Sequence, residues 1–373
     1  MLEFSAIISA VKPRERTDQY VILAALYFLE AHRTPVTARQ VTDLLTLHLG
    51  RSAPANVNAS LRSYTSFVEA AGAVRPLRWS LTNKGLDQLR SLSGLDLMTP
   101  VTESDFQTDI AFLCALQDPE FTALLRAGGG AERWQTAGSA RFTHVFRTTE
   151  LARKSGKSLS VVGTVSTSMG LTAAAIATTH LILQFKPRIV AMTGIAAGTR
   201  GRDRQFGDVL VADPSVDYSS GKVVLENGIR GFQPDPYPIG LNARLRCVLR
   251  RYQSTPQVFE SIRHRWKGRL PCTSNRLHLG PVGAADQVID DATRILEIQR
   301  NWRKLIGVEM ETYGVYRACH EAPEPKPRVV SFKSVCDFAA EKKDSWQAYA
   351  AFTAAEFAFE FFRSEWDALW PTT

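Results

Sequence analysis

Residues 158–198, SLSVVGTVSTSMGLTAAAIATTHLILQFKPRIVAMTGIAAG, decide the fold class of this chain. β-branched and other apolar residues fill the runs SLSVVGTVS and RIVAMTG, which predicts two buried strands within the segment. The run LTAAAIATTHLILQF between them predicts a helix. A strand, a helix and a second strand in this order are typical of a parallel sheet that helices cover.

The same alternation continues on both sides of this segment. Strand-like apolar runs recur as IAFLCAL at 110–116, DVLVAD at 208–213 and VVSFKSV at 329–335. Residues 345–370, SWQAYAAFTAAEFAFEFFRSEWDALW, predict a long helix that must pack on the sheet or on a partner subunit. We therefore expect an α/β fold with a mixed, mostly parallel sheet flanked by helices.

The length of the chain, 373 residues, predicts about two domains at ~100–200 residues per domain. Apolar residues make up 45% and charged residues 22%, a composition that excludes a disordered or fibrous chain. No apolar run approaches the ~18 residues of a membrane-spanning helix. The first charges follow the N-terminal apolar run instead of preceding it as in a signal peptide. We expect a cytoplasmic protein without a membrane partner.

The cysteine count and the net charge limit the class of partner. Five cysteines without CxxC spacing argue against a disulfide scaffold or a zinc ribbon, and we expect neither a metal nor a cofactor. The 45 Lys and Arg residues exceed the 37 Asp and Glu residues, which gives a formal net charge of +8. This excess suits a partner that carries phosphate, but it leaves DNA and a small phosphorylated ligand both open.

The first part of the chain predicts a small domain of its own. Residues 1–94 contain three helical runs, two short strand-like runs and a further helix, with Thr37 as an N-cap and a third helix over Val57–Val68. This order resembles a winged helix-turn-helix domain. The loop-like composition of residues 95–107 predicts a linker, so that residues 108–373 form the second domain.

A winged helix usually reads DNA with its third helix. The candidate polar side chains of that helix are Asn56, Asn58, Ser60, Arg62 and Ser63, of which one is basic. Because phosphate contacts usually need more Lys and Arg, we favour a protein partner over DNA for this domain and leave both open.

Carboxylates follow several of the predicted strands. Glu120 comes after IAFLCAL, Glu309 and Glu311 lie in LIGVEMET, and Asp337 ends VVSFKSVCD. Ligands of open α/β sheets bind beyond the carboxyl ends of the strands. Each carboxylate alone fits an ion pair or a helix cap, but together they indicate an acid/base site at that edge.

The order of the motifs resembles one known family. IAFLCAL with Glu120 is followed by MGLTAAA, MTGIAAG, FGDVLVAD, VGAADQVIDD, GVEMETYGVYRAC and SVCDFA. With these motifs, residues 109–362 resemble the nucleoside phosphorylase/nucleosidase superfamily, nearest to its methylthioadenosine/S-adenosylhomocysteine nucleosidase branch. The resemblance implies cleavage of the base–ribose bond of a purine nucleoside or nucleotide, and a homo-oligomer.

The resemblance also implies roles for single residues. Asp337 would be the general acid at N7 of the purine, and Glu120 would orient the attacking water. Glu311 would bind the ribose hydroxyls, and Met310 would pack under the sugar. Further substrate contacts would come from Gly194, Ile195, Ala196, Val288, Ile289, Glu309 and Cys336.

The chain departs from the family pattern at four points. One extra residue stands between Ala115 and Glu120, and Ile195 and Cys336 replace serines of the nearest branch. Met192 stands where bacterial purine phosphorylases place an arginine that holds phosphate. An uncharged thioether does not compensate the charge of phosphate, so we predict hydrolysis rather than phosphorolysis.

Two further questions stay open at this point. Arg200, Arg202 and Arg204 follow the glycine turn and are candidates for a 5′-phosphate site, which would make AMP or ATP the substrate. The favoured function is a purine N-glycosidase, and analogy with superfamily members suggests a regulated effector in bacterial phage defence. The alternatives are a winged-helix transcription regulator that senses a nucleoside, or a true purine nucleoside phosphorylase. The joint presence of Glu311 and Asp337 favours an enzyme.

Overall fold

The computed structural model describes residues 4–12, 16–30, 35–71, 76–95, 105–138, 142–199, 204–226, 228–338 and 344–370. The chain divides into two compact units, Met1–Asp105 and Phe106–Thr373. Each unit has a hydrophobic core of its own.

The first unit combines five helices with a small antiparallel sheet among its described residues. The helices are α1 Phe4–Ser9, α2 Asp18–Glu30, α3 Ala38–Leu49, α4 Val57–Ser63 and α5 Asn83–Ser93. The strands are β1 Val36–Thr37, β2 Val68–Ala71 and β3 Arg78–Leu81. β3 lies between β1 and β2. Its identity as a winged helix stays a prediction.

The sequence predicted one helix start of this unit correctly and one helix end wrongly. Thr37 caps α3, and its backbone amide donates to the side chain of Gln40 at 2.8 Å, which completes a capping box. The third helix ends at Ser63, before the predicted Val68. The backbone amide of Val68 bonds to the Tyr64 carbonyl at 3.0 Å, so the chain turns there and Val68 begins β2.

The second unit is built on a nine-stranded mixed sheet with the order β13-β12-β9-β14-β8-β4-β7-β6-β5. Its strands are β4 Thr108–Cys114, β5 Gln135–Ala137, β6 Phe146–Ala152, β7 Ser158–Val165, β8 Pro187–Gly198, β9 Val209–Asp217, β12 Leu277–Ala284, β13 Gly307–Glu309 and β14 Arg328–Asp337. A separate hairpin joins β10 Gly221–Glu226 to β11 Ile229–Pro234. The predicted α/β class is therefore confirmed.

Helices flank this sheet. They are α6 Thr122–Ala127, α7 Leu171–Phe185, α8 Ala243–Tyr252, α9 Gln257–Arg265, α10 Ala292–Asn301, α11 Thr312–His320 and α12 Gln347–Leu369. α12 packs on the sheet, where Phe361 and Phe362 meet Phe332 of β14 at 5.5 and 6.0 Å between ring centroids. A fully buried phenylalanine contributes about 1.5–3 kcal/mol, so this helix is a large part of the core. No helix in the described ranges has both the length and the apolarity needed to cross a membrane.

Five strands of the sheet close into a ring. β13 pairs in parallel with β12 and antiparallel with β8, while β9 and β14 complete the connection between β12 and β8. The closure sets Val308 opposite Ala197, and β14 sets Val335 opposite Ala196. The segment TGIAAG was predicted as a turn but forms the last six residues of β8, because it pairs with β14 and β13. The end of β8 therefore lies beside β13 and β14, which carry or precede three of the predicted carboxylates.

Candidate active site

A cavity of about 220 Å³ opens at these strand ends. Most of the residues predicted to contact substrate line it, although they come from distant parts of the chain. They are Glu120, Ile195, Ala196, Val288, Ile289, Glu309, Met310, Glu311, Cys336 and Asp337. The lining also includes side chains that the sequence analysis did not single out, among them Leu116, Met169, Gln287 and Gln347.

Glu120 lies within a π turn that follows β4, and its side chain lines the cavity. The turn spans Gln117–Phe121 and is closed by a 3.0 Å bond from the Phe121 amide to the Leu116 carbonyl. A π turn contains one residue more than an α turn, and we expect it to accommodate the extra residue predicted between Ala115 and Glu120. Its carboxylate accepts from the amides of Ala115 at 2.7 Å, Leu116 at 3.0 Å and Ile195 at 2.8 Å.

Gly194 has a different place from the one predicted. It is absent from the described lining of the cavity and lies against Glu120 instead. A Cβ atom at this position would lie 2.1 Å from Oε1 of Glu120. The glycine therefore leaves room for the carboxylate of Glu120.

Glu309 and Glu311 lie where β13 passes into α11. The Glu309 carboxylate accepts from the amides of Glu311 and Thr312, each at 3.0 Å, and so satisfies free N–H groups at the start of α11. Glu311 accepts from the Gly170 amide at 3.2 Å, directly before α7. Both carboxylates are buried, with relative exposures of 7% and 4%.

Lys333 of β14 joins these carboxylates and was missed by the sequence analysis. Its Nζ atom lies 3.2 Å from Glu311, 3.4 Å from Glu309 and 4.0 Å from Glu120. The signal was present in VVSFKSV, because a lysine inside an otherwise apolar strand needs a buried partner. Lys333 lies four residues before Asp337, inside β14 and away from the strand ends to which the motifs point.

Burial and charge shift the titration of this cluster. Burial raises the pKa of Glu120 and of Glu309 above the ordinary glutamate value, while Lys333 opposes the shift. Burial alone would lower the pKa of Lys333, but Glu311, Glu120 and Glu309 together raise it. Lys333 therefore stays charged and contacts three carboxyl groups, two of which have a pKa above the ordinary glutamate value.

Asp337 is the last residue of β14, and its side chain lines the cavity. The Cys336 thiol donates to Oδ2 of Asp337 at 3.4 Å. Burial raises the pKa of the Cys336 thiol, so it remains a neutral donor. Its sulfur also lies 3.6 Å from the carbonyl of Ala196, so the thiol contacts both β8 and the carboxylate of Asp337.

Apart from Gln287 and Gln347, the rest of the described wall is mainly apolar. Ile289 packs in a small cluster with Tyr218 and Val308. Val288 and Met169 also line the cavity and are 57% and 53% exposed, which makes them its accessible apolar rim. None of the described lining residues is aromatic.

Four positions were considered for phosphate in the sequence, and the structure describes two of them, Met192 and Arg204. Met192 is fully buried and its sulfur accepts from the Thr312 hydroxyl at 3.9 Å, away from the cavity lining. Arg200 and Arg202 lie outside the described residues. Arg204 donates from Nε to the Thr199 carbonyl at 2.7 Å. The described part of the cavity wall contains four carboxylates and neither lysine nor arginine.

Residues 109–360 match the family model of the phosphorylase superfamily, and the chain belongs to this superfamily. The superfamily that the motifs resemble is thereby confirmed.

Two curated proteins are similar to large parts of the chain. The uncharacterized protein y4jS of Sinorhizobium fredii is 30% identical over 321 residues, which is 84% of this chain and 76% of y4jS. Because the second unit holds 268 of the 373 residues, that match also includes part of the first unit. ATP nucleosidase Cap17 of Escherichia coli is 25% identical over 59% of this chain, and the match spans 45% of Cap17.

Among solved structures, the 5′-methylthioadenosine/S-adenosylhomocysteine nucleosidase of Helicobacter pylori shares the fold. It is 20% identical, with a TM-score of 0.51, and the match covers 69% of this chain and 98% of that one.

Proposed function

We propose that this protein is a purine N-glycosidase, which hydrolyses the bond between base and ribose in a nucleoside or nucleotide. One observation carries the proposal: Asp337, Glu311 and Glu120 line a single cavity although they come from separate strand ends. The superfamily and the two nucleosidases among its relatives support an N-glycosyl hydrolase.

Asp337 is the general acid of the proposed reaction. A purine anion is a poor leaving group, and a proton on N7 removes its charge as the bond from C1′ to the base breaks. Asp337 is half-buried in the cavity lining and accepts a hydrogen bond from the thiol of Cys336.

Glu311 and Glu120 act on the sugar and the water. Glu311 accepts from the ribose hydroxyls, and Met310 packs against the sugar. As the base leaves, positive charge develops on the sugar, and the carboxylates around Lys333 stabilise that charge. Water bonds to C1′ and gives its proton to Glu120, which yields free base and free sugar.

Hydrolysis is favoured over phosphorolysis by the charges of the wall. A phosphate nucleophile would have to approach C1′ beside Glu120, Glu309, Glu311 and Asp337, with no described cation in the lining to balance its charge. Water meets no such repulsion. The reading as a true purine nucleoside phosphorylase is therefore less well supported.

We further propose that the substrate is a nucleotide rather than a nucleoside. Arg200, Arg202 and Arg204 follow β8, and the described Arg204 is tied to Thr199 at the end of that strand. Arginine binds phosphate oxygens well, so this segment is a candidate for the 5′-phosphate contact. The name of Cap17, an ATP nucleosidase, agrees with a phosphorylated substrate.

The first unit is proposed to recruit or gate the enzyme through a protein partner, as in a regulated effector of antiviral defence. The Asn56 side chain caps α4, and the hydroxyls of Ser60 and Ser63 donate to backbone carbonyls of the same segment. Three of the five polar side chains considered for DNA contact thus have local partners, which weakens the case for a DNA-reading regulator. A homo-oligomer remains part of the proposal.

A substrate panel tests the proposed reaction. Purified protein is incubated with adenosine, methylthioadenosine, AMP and ATP, and released adenine is measured by chromatography. We expect adenine from at least one substrate and a loss of about 10²–10⁴-fold in Asp337→Asn, the usual contribution of a general acid. Asp235→Asn, which removes a carboxylate from an exposed position, is the matched control. A specific DNA footprint without release of base would favour the regulator.

A further inference from the structure

The most unusual group in the second unit is the buried ammonium of Lys333, which performs none of the proposed chemical steps. We propose that Lys333 is a positioning residue for the hydrolysis: it ties Glu120 on the π turn to Glu311 before α11, and together with Glu309 it fixes the carboxylates that act on sugar and water. The inference rests on the proposed function and adds residues to its site.

The geometry supports a link between two separate segments. Glu120 follows β4, whereas Glu311 follows β13, and Lys333 projects from β14 to both. The side chains of all three are nearly inaccessible, with exposures of 1%, 5% and 2%. The contact with Glu311 is a hydrogen bond at 3.2 Å, while the 4.0 Å separation from Glu120 is an ion pair without a direct hydrogen bond.

Glu309 supports the same arrangement from the backbone side. Its oxygens accept from the amides of Glu311 and Thr312, and Oε2 lies 3.4 Å from Nζ of Lys333. These contacts fix the backbone at Glu311, while Lys333 fixes the carboxylate of Glu311. Glu309 therefore acts through Glu311 rather than through the substrate, which differs from the substrate contact that the family resemblance implies.

The charge of Lys333 also controls protonation. The ionisable groups that face it are Glu120 from the π turn, Glu309 and Glu311 from the β13–α11 junction, and the Cys114 thiol from β4. Without the ammonium, these buried carboxylates lose the cation that favours their ionised form. Since Glu120 must be ionised to take a proton from water, the rate should then require a higher pH.

The test compares Lys333→Met with Lys333→Arg and uses the exposed Lys157→Met as the matched control. Base release is measured against pH, and binding of a C-nucleoside of adenine, which cannot be hydrolysed, is measured at equilibrium. We expect Lys333→Met to lower kcat about 100-fold and to move the acid limb of the rate profile up by about 1–3 pH units. Lys333→Arg should return the limb towards its original position, and Lys157→Met should change neither value.

A folded Lys333→Met protein with the wild-type acid limb and wild-type kcat would overturn the inference. If this variant does not fold, Glu309→Gln and the double variant Lys333→Met/Glu309→Gln, which removes one charge of each sign, provide the test. An unchanged acid limb and unchanged kcat in either folded variant would also overturn it. If the wild type binds the C-nucleoside but releases no base from any substrate, the proposed hydrolytic activity is refuted. Weaker binding by Lys333→Met would then still support positioning, and unchanged binding would refute it.

Discussion

The carboxylate of Glu120 rests against Gly194, where a Cβ atom would come within 2.1 Å of Oε1. Three backbone amides hold the carboxylate in this position, one of them from Ile195, the residue after the glycine. The glycine-containing end of β8 therefore contributes space and a hydrogen bond to an acidic side chain, whereas many glycine-rich loops bind phosphate.

Gly194→Ala should displace Glu120 from these amides. A shift of about 1 Å in a catalytic group can cost about 100-fold in rate, and we expect a loss of that order in kcat for base release. The matched control is Gly231→Ala in the β10–β11 hairpin, where the new Cβ would meet only the end of the Val224 side chain, at 3.1 Å. Equal kcat values for the two variants would show that the position of Glu120 does not limit the reaction.

The pH dependence should reflect the buried glutamate. Burial raises the pKa of Glu120 above its ordinary value of 4.5. The group stays protonated, and unable to accept a proton, up to a higher pH than a solvated glutamate. We expect kcat/KM for base release to rise with pH along a limb that lies above 4.5, as measured by a rate profile in overlapping buffers. A limb at or below 4.5 would contradict a role for Glu120 as the proton acceptor.

Inorganic phosphate should not take part in the reaction. The described cavity wall carries carboxylates and no cation, so phosphate meets no positively charged partner among the described residues of that wall. We expect the same rate of base release with and without phosphate, and a sugar product that is not phosphorylated at C1′. Mass spectrometry of the sugar decides the point, because a 1-phosphate product would establish phosphorolysis.

The arginine segment after β8 should distinguish nucleotides from nucleosides. Replacing Arg200, Arg202 and Arg204 with alanine should raise KM for a nucleotide far more than KM for the matching nucleoside. Arg204→Lys, which keeps the charge, is the control for the bond between Arg204 and the Thr199 carbonyl. Steady-state kinetics on both substrates provide the measurement, and equal effects on the two KM values would refute a phosphate contact.

The sequence predicted the sheet because long apolar runs punctuated by glycine allow few other structures. It also predicted the carboxylates of the cavity, since motifs at strand ends converge in a parallel sheet. It did not predict Lys333, whose partners become visible only when β4, β13 and β14 lie side by side. The tasks of Glu309 and Gly194 were likewise hidden, because each depends on an atom contributed by another segment.

Local sequence was least informative where a turn competes with a helix. Val57–Val68 has helical spacing, yet the chain leaves the helix at Tyr64 and Val68 pairs with Leu81 in the sheet. The pairing partner is distant in sequence, so the spacing alone favoured the longer helix. The π turn that contains Glu120 is a second case, since no spacing of apolar residues in the sequence predicted it.

The closed ring formed by β8, β14, β9, β12 and β13 has a consequence for how this molecule can diversify. Its hydrogen bonds return on themselves, so the strand ends that carry Asp337 and precede Glu311 are held by the ring, and Gly170 before α7 adds one bond to Glu311. Loops around the opening that make no such contact can then change in length and sequence while these two carboxylates keep their places.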